Sequence, residues 1–126
     1  MIQENINILK NGGIGVVLTD TIYGVVGSAL NPKTVERIYE VKGRDKNKPL
    51  IILISKLSDL ELFSIKVTPE LTRTLKQYWP GKVSIILPVF QKEFEYLHRG
   101  ENCLAFRLPK NKRLVNLLQK TGPLAA

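Results

Sequence analysis

Leu50-Ile51-Ile52-Leu53-Ile54 is an unbroken apolar run bounded by Pro49 and Ser55. Rich in β-branched residues, it reads as a strand covered on both faces. Such a strand needs packed layers above and below its sheet, so the run argues against a one-sided hairpin series. The rest of the chain supplies the layers. Ile2, Ile6 and Leu9 recur at near-helical spacing, which predicts a short amphipathic helix over residues 3–10, stopped by Asn11-Gly12-Gly13. Ile14 to Leu18 reads as a buried strand and Tyr23 to Leu30 as a second extended segment. Asn31 caps a helix with Pro32 in its first turn; Val35, Ile38, Tyr39 and Lys42 form one stripe of it. A short helix over Ser58 to Phe63 is expected. Another opens at Thr68-Pro69-Glu70, with Leu71, Leu75 and Tyr78 on its buried side.

Val83 to Val89 predicts a strand whose Pro88 places it at a sheet edge. Residues 90–101 read as irregular, with His98 at the surface. Cys103 to Leu108 predicts a strand, Asn111 to Lys120 a helix, and Leu124-Ala125-Ala126 a strand only just begun. This order fits an α/β domain on a mixed, twisted sheet. The 126 residues are expected to form one domain over 1–126, incomplete at its C-terminus.

The composition, 44% hydrophobic and 24% charged, is that of an ordinary globular protein, with no apolar run long enough to span a bilayer. The N-terminus lacks the cationic start and apolar core of a signal peptide, and the single cysteine, Cys103, allows no internal disulfide. A cytoplasmic protein without a membrane association is expected. Cys103 itself reads as a small buried hydrophobe. Nothing has the spacing of a metal site, a Ser-His-Asp triad or a Walker phosphate loop.

Nineteen Lys and Arg against eleven Asp and Glu leave a net charge of +8, which favours polyanionic partners. The cations are densest at Lys42, Arg44, Lys46 and Lys48, with a second group at Lys110, Lys112 and Arg113. Lys42-Gly43-Arg44 sits between a helix and a strand, downstream of the polar turn Leu18-Thr19-Asp20-Thr21-Ile22-Tyr23-Gly24. Two cations so close repel each other unless solvated or holding an anion. Arginine supplies a planar fork and lysine a point charge, the usual pair for phosphate or carboxylate. Arg107 lies inside an apolar strand, where an arginine wants an anion or a carboxylate such as Asp20 or Glu101.

Five blocks in order resemble the YrdC family: Thr19-Asp20-Thr21-Ile22-Tyr23-Gly24; Lys42-Gly43-Arg44 followed by Pro49-Leu50; Trp79-Pro80-Gly81-Lys82-Val83-Ser84; Ala105-Phe106-Arg107-Leu108; and Gly122-Pro123-Leu124. They cover nearly the whole chain. The resemblance implies a YrdC-like twisted mixed sheet with flanking helices around a basic cleft. It implies an L-threonylcarbamoyladenylate synthase, which makes threonylcarbamoyl-AMP and pyrophosphate from L-threonine, bicarbonate and ATP with Mg2+. The product serves threonylcarbamoyladenosine formation in tRNA, so tRNA or downstream threonylcarbamoyl-transfer proteins become expected partners. By the same resemblance Thr19, Thr21, Tyr23 and Arg107 would hold L-threonine. Lys42, Arg44, Lys48 and Ser84 would meet ATP, with Lys42 and Arg44 acting in catalysis. Family members carry a Ser-x-Asn signature after the Gly-x-Pro-Leu block, and this sequence stops before it. The alternative is a YrdC-like RNA-binding or accessory module without full catalytic activity.

Overall fold

The computed structural model describes residues 3–19 and 22–126. A six-stranded mixed sheet is built in the order β1-β2-β6-β3-β5-β4. Its strands are β1 (Ile14–Leu18), β2 (Tyr23–Ser28), β3 (Ile51–Leu53), β4 (Ile85–Pro88), β5 (Cys103–Arg107) and β6 (Leu124–Ala125). Among the described residues β3 and β5 run parallel and every other pairing is antiparallel. The helices are α1 (Gln3–Lys10), α2 (Pro32–Lys42), α3 (Pro69–Lys76), α4 (Glu95–His98) and α5 (Lys112–Thr121), with a 3-10 helix over Leu57–Phe63. No described helix is long and apolar enough to cross a membrane.

The apolar run at β3 behaves as its composition requires. Ile52 packs into one core with Val35, Ile38 and Tyr39 of α2, Leu60 and Phe63 of the 3-10 helix, Leu75 of α3 and Phe106 of β5. Leu53, one residue on, faces the other way into a second core with Ile6 and Leu9 of α1 and Leu114, Leu117 and Leu118 of α5. Alternate residues of a strand point to opposite faces, so both faces are covered. The two-residue strand β6 lies mid-sheet, between β2 and β3, and Leu124 and Ala125 are fully buried.

Local signals set the helix ends. Asn31 accepts from the backbone N–H groups of Lys33 and Thr34, Thr68 from Leu71, and Asn111 from Leu114. Gly43 adopts a left-handed conformation (φ 61°), and the N–H groups of Gly43 and Arg44 close onto the carbonyls of Glu40 and Tyr39. Gly27 has a different task. A Cβ there would collide with the Cγ2 of Thr34, so glycine lets α2 lie directly on β2.

Four expectations change. β1 is an edge strand rather than a buried one: Val17 faces a core, but Val16 and Leu18 are exposed. Tyr78 lies beyond the end of α3 and is half exposed, and the neighbouring Trp79 is buried in its place, its indole N–H donating to the Val83 carbonyl at 2.7 Å. Residues 90–101 contain helical turns. There His98 is only 3% exposed, with Nδ1 accepting from the Gly100 N–H and Nε2 donating to the Gln91 carbonyl. Cys103 is only partly buried. The edge position of β4, inferred from Pro88, is observed.

Candidate active site

Two separate stretches of chain bring cations, and a third brings hydroxyls, to one cleft of about 390 Å³, a size usual for small-molecule sites. Lys42 and Arg44 arrive from the end of α2, Arg107 from the end of β5, and Thr19 with Tyr23 from the β1–β2 hairpin; Ile51, Leu53 and Ala126 supply apolar surface.

The Lys42-Gly43-Arg44 order has a local cause. Lys42 is the last helical residue, and left-handed Gly43 turns the chain so that the next cation borders the same cleft. Arg44 is then fastened by its own loop. Its Nε donates to the Lys48 carbonyl at 3.3 Å and Nη2 to the Pro49 carbonyl at 2.8 Å. Tyr39 donates its hydroxyl to the same Lys48 carbonyl at 2.7 Å, which ties this loop to the core. The remaining N–H donors of Arg44 are available to an anion. Partial burial, and secondarily the Arg44 guanidinium, hold the Lys42 pKa below its usual 10.5. An anion between the two would reverse that second effect.

Arg107 owes its aim to strand register. Ile85 pairs with Phe106, so the next residues, Ser84 and Arg107, fall opposite one another. The Ser84 hydroxyl accepts from both Nε (3.1 Å) and Nη2 (2.8 Å) of Arg107. Ser84 does not itself line the cleft; its visible contact is with the arginine that does. The Trp79-Pro80-Gly81 block is tied to the same strand end, because the Gly81 N–H donates to the Leu108 carbonyl at 2.9 Å.

Thr19 closes the hairpin. Its hydroxyl donates to the Ile22 carbonyl at 2.6 Å and accepts from the Ile22 N–H at 3.3 Å, while its own N–H also donates to that carbonyl. Tyr23 borders the cleft and is 70% exposed. Thr21, expected beside it, lies outside the described residues, as does Asp20. The Lys48 side chain is exposed and does not line the cleft; its backbone carbonyl is the part that serves Arg44. Sequence reasoning did not anticipate the carbonyls of Lys48 and Pro49 or the apolar contributions of Ile51 and Leu53. Only Pro49-Leu50, which recurs after the Lys-x-Arg block, pointed that way.

The described lining holds no histidine, cysteine, aspartate or glutamate side chain, and nowhere among the described residues do three such side chains gather as metal ligands. The residues that do line it are suited to binding anions and stabilising developing negative charge.

The Sua5/YciO/YrdC family model, described as telomere recombination, matches residues 7–126. A threonylcarbamoyl-AMP synthase of Pyrococcus abyssi is 30% identical over 119 residues, covering 94% of this chain and 35% of that protein. One from Bacillus subtilis is 34% identical over 122 residues, with the same two coverages. The crystal structure of P. abyssi Sua5 complexed with L-threonine superimposes with a TM-score of 0.86 at 29% identity, over 98% of this chain and 36% of that one. The chain thus spans about a third of the length of these relatives. With a family match over nearly all of its residues and the family's fold around a cationic cleft, the chain belongs to the Sua5/YciO/YrdC family.

Proposed function

We propose that this chain carries the substrate cleft of an L-threonylcarbamoyladenylate synthase. Such an enzyme joins L-threonine, bicarbonate and ATP into threonylcarbamoyl-AMP and releases pyrophosphate. The observation that carries the reading is the convergence of Lys42, Arg44 and Arg107 on one cleft beside the Thr19 hairpin. The kinship with a protein whose structure holds L-threonine supports it.

The chemistry asks for little beyond what these residues supply. The threonine amine attacks the bicarbonate carbon, water leaves, and a carbamate results; a carbamate oxygen then attacks the α-phosphorus of ATP while pyrophosphate leaves. Negative charge builds on the phosphate oxygens, and cations already fixed there favour the transition state over the ground state. Arg44 is fixed by the Lys48 and Pro49 carbonyls and Arg107 by Ser84, so little reorganisation remains to be done. Arg107, Thr19, Thr21 and Tyr23 would hold L-threonine, and Lys42 and Arg44 the phosphates; Ser84 and Lys48, expected as ATP contacts, would act indirectly, Ser84 through Arg107 and Lys48 through the carbonyl that fastens Arg44. Magnesium enters as part of the ATP substrate. The product would pass to tRNA through downstream threonylcarbamoyl-transfer proteins in the cytoplasm.

The test is isothermal titration of the chain with Mg-ATP and with L-threonine, alongside Lys42→Ala and Arg44→Ala. The reading expects saturable binding of both ligands by the parent and at least a tenfold loss of ATP affinity in each variant, with circular dichroism unchanged. ATP affinity equal in all three proteins would remove Lys42 and Arg44 from the site.

A further inference from the structure

Arg99 holds a backbone conformation that an arginine rarely takes. Its φ is 53°, in the left-handed region that suits glycine, and a glycine follows only at Gly100. The surrounding turn enforces it. The Arg99 N–H donates to the Glu95 carbonyl at 2.8 Å, while the His98 ring accepts from the Gly100 N–H and donates to the Gln91 carbonyl. Tyr96 donates its hydroxyl to the Ala29 carbonyl at 2.8 Å, which fastens α4 beside the start of α2. Strain of this kind persists only where neighbouring structure over-determines it. The outcome is a guanidinium laid inward, its side chain 14% exposed.

Stability alone does not account for that burial. Nη2 lies 2.8 Å from Glu36 Oε1, an ion pair off the angle of a hydrogen bond, and Nε is buried with no hydrogen-bond partner among the described residues. A buried cation left partly unsatisfied is less favourable than an apolar side chain of similar volume. What the guanidinium does have is an aromatic face: its Cζ stands 4.0 Å from the centre of the Tyr39 ring.

Tyr39 carries that contact toward the cleft. It is 1% exposed, and its buried hydroxyl donates to the Lys48 carbonyl at 2.7 Å. The same carbonyl accepts from Arg44 Nε at the longer distance of 3.3 Å. A carbonyl oxygen has two lone pairs, so both donors fit, and the shorter bond sets its direction. Glu36 adds a weaker tie to this loop through Lys46, at 3.7 Å between exposed groups.

We infer that Arg99 and Tyr39 are positioning residues of the cleft: Arg99 steadies the Tyr39 ring, and Tyr39 holds the carbonyl that orients Arg44. Neither lines the cleft, so each acts through Arg44. Without that hold, the bond from Arg44 Nη2 to the Pro49 carbonyl remains, and an incoming anion has to supply more of the ordering. That the anion is ATP rests on the proposed function; the hold on Arg44 does not.

The experiment uses Tyr39→Phe, which deletes only the hydroxyl, and Arg99→Met, which replaces the guanidinium with an apolar end. In the ligand-free, isotopically labelled chain, NMR reads how fast water exchanges the Nε proton of Arg44. Both variants should speed that exchange by about fivefold, with circular dichroism unchanged. Titration calorimetry should show Mg-ATP affinity lower by about fivefold, the effect of one hydrogen bond, and L-threonine affinity within about twofold of the parent. In an Arg44→Ala background neither substitution should weaken ATP binding further. Exchange at Arg44 unchanged in the two variants overturns the inference. So do ATP losses that persist without Arg44, or L-threonine losses of the same size, since either marks a general loosening of the fold. Faster exchange, alongside an Arg44→Ala variant that binds ATP as the parent does, would sink the proposed function and leave the positioning role standing.

Discussion

Removing the Ser84 hydroxyl should weaken the hold on L-threonine while leaving the sheet intact. Ser84 lies just before β4, opposite Arg107, and accepts two N–H groups of that guanidinium at 3.1 and 2.8 Å. Hydrogen bonds to a charged group contribute about 1.5–3 kcal/mol each when buried, but both partners here are half-buried, so the low end applies to the pair. Without these two bonds Arg107 is held less firmly, and the ligand must do more of its ordering. The cost of about 1.5 kcal/mol then appears as roughly a tenfold weaker affinity. Titration calorimetry of L-threonine against Ser84→Ala, Ser84→Thr and Arg107→Ala reads this directly. Ser84→Thr keeps the hydroxyl and should restore most of the affinity, whereas Arg107→Ala should abolish binding. The melting temperature of Ser84→Ala should stay within about 4 °C of the parent. If Ser84→Ala binds within twofold of the parent while Arg107→Ala does not bind, Ser84 has no positioning role and the reasoning fails.

Two further outcomes test the site and its scaffold. Burial, and then Arg44, lower the Lys42 pKa, so the ligand-free fold favours its ammonium less than water does. As pH rises through that lowered pKa toward 10.5, the stability of the free protein should increase slightly while ATP affinity falls, with proton uptake on binding in that window. Lys42→Met should remove both trends, and an ATP affinity flat up to pH 10.5 in the parent would contradict the assignment. Gly27→Ala should destabilise by about 1–3 kcal/mol in urea unfolding through the clash with Thr34 Cγ2. Adding Thr34→Ser, which deletes that methyl group but keeps the hydroxyl bonded to the Gly12 carbonyl, should recover most of the loss; no recovery would mean the close approach of α2 to β2 is not the cause.

What the sequence settles by itself is what depends on near neighbours. Asn31, Thr68 and Asn111 cap helices because each side chain reaches N–H groups two or three residues on. Gly43 ends α2 because a left-handed residue strongly favours glycine, so Lys42 and Arg44 must diverge from a helix end wherever that helix docks. The alternation of Ile52 and Leu53 between two cores follows from strand geometry alone. The tertiary structure decides what depends on distant partners. His98 reads as a surface residue in a polar stretch, yet the backbone of Gln91 and Gly100 satisfies both ring nitrogens and allows its burial. Tyr78 and Trp79 compete for one inward position, and docking against the rest of the fold selects the tryptophan. β1 looks like an interior strand until the strand order leaves it at an edge. The site divides the same way: its cations are legible as residue types, but Ser84 meets Arg107 across a separation of 23 residues. Pairing register sets that contact, and register is the result of burying a whole face of the sheet rather than of any short stretch of chain.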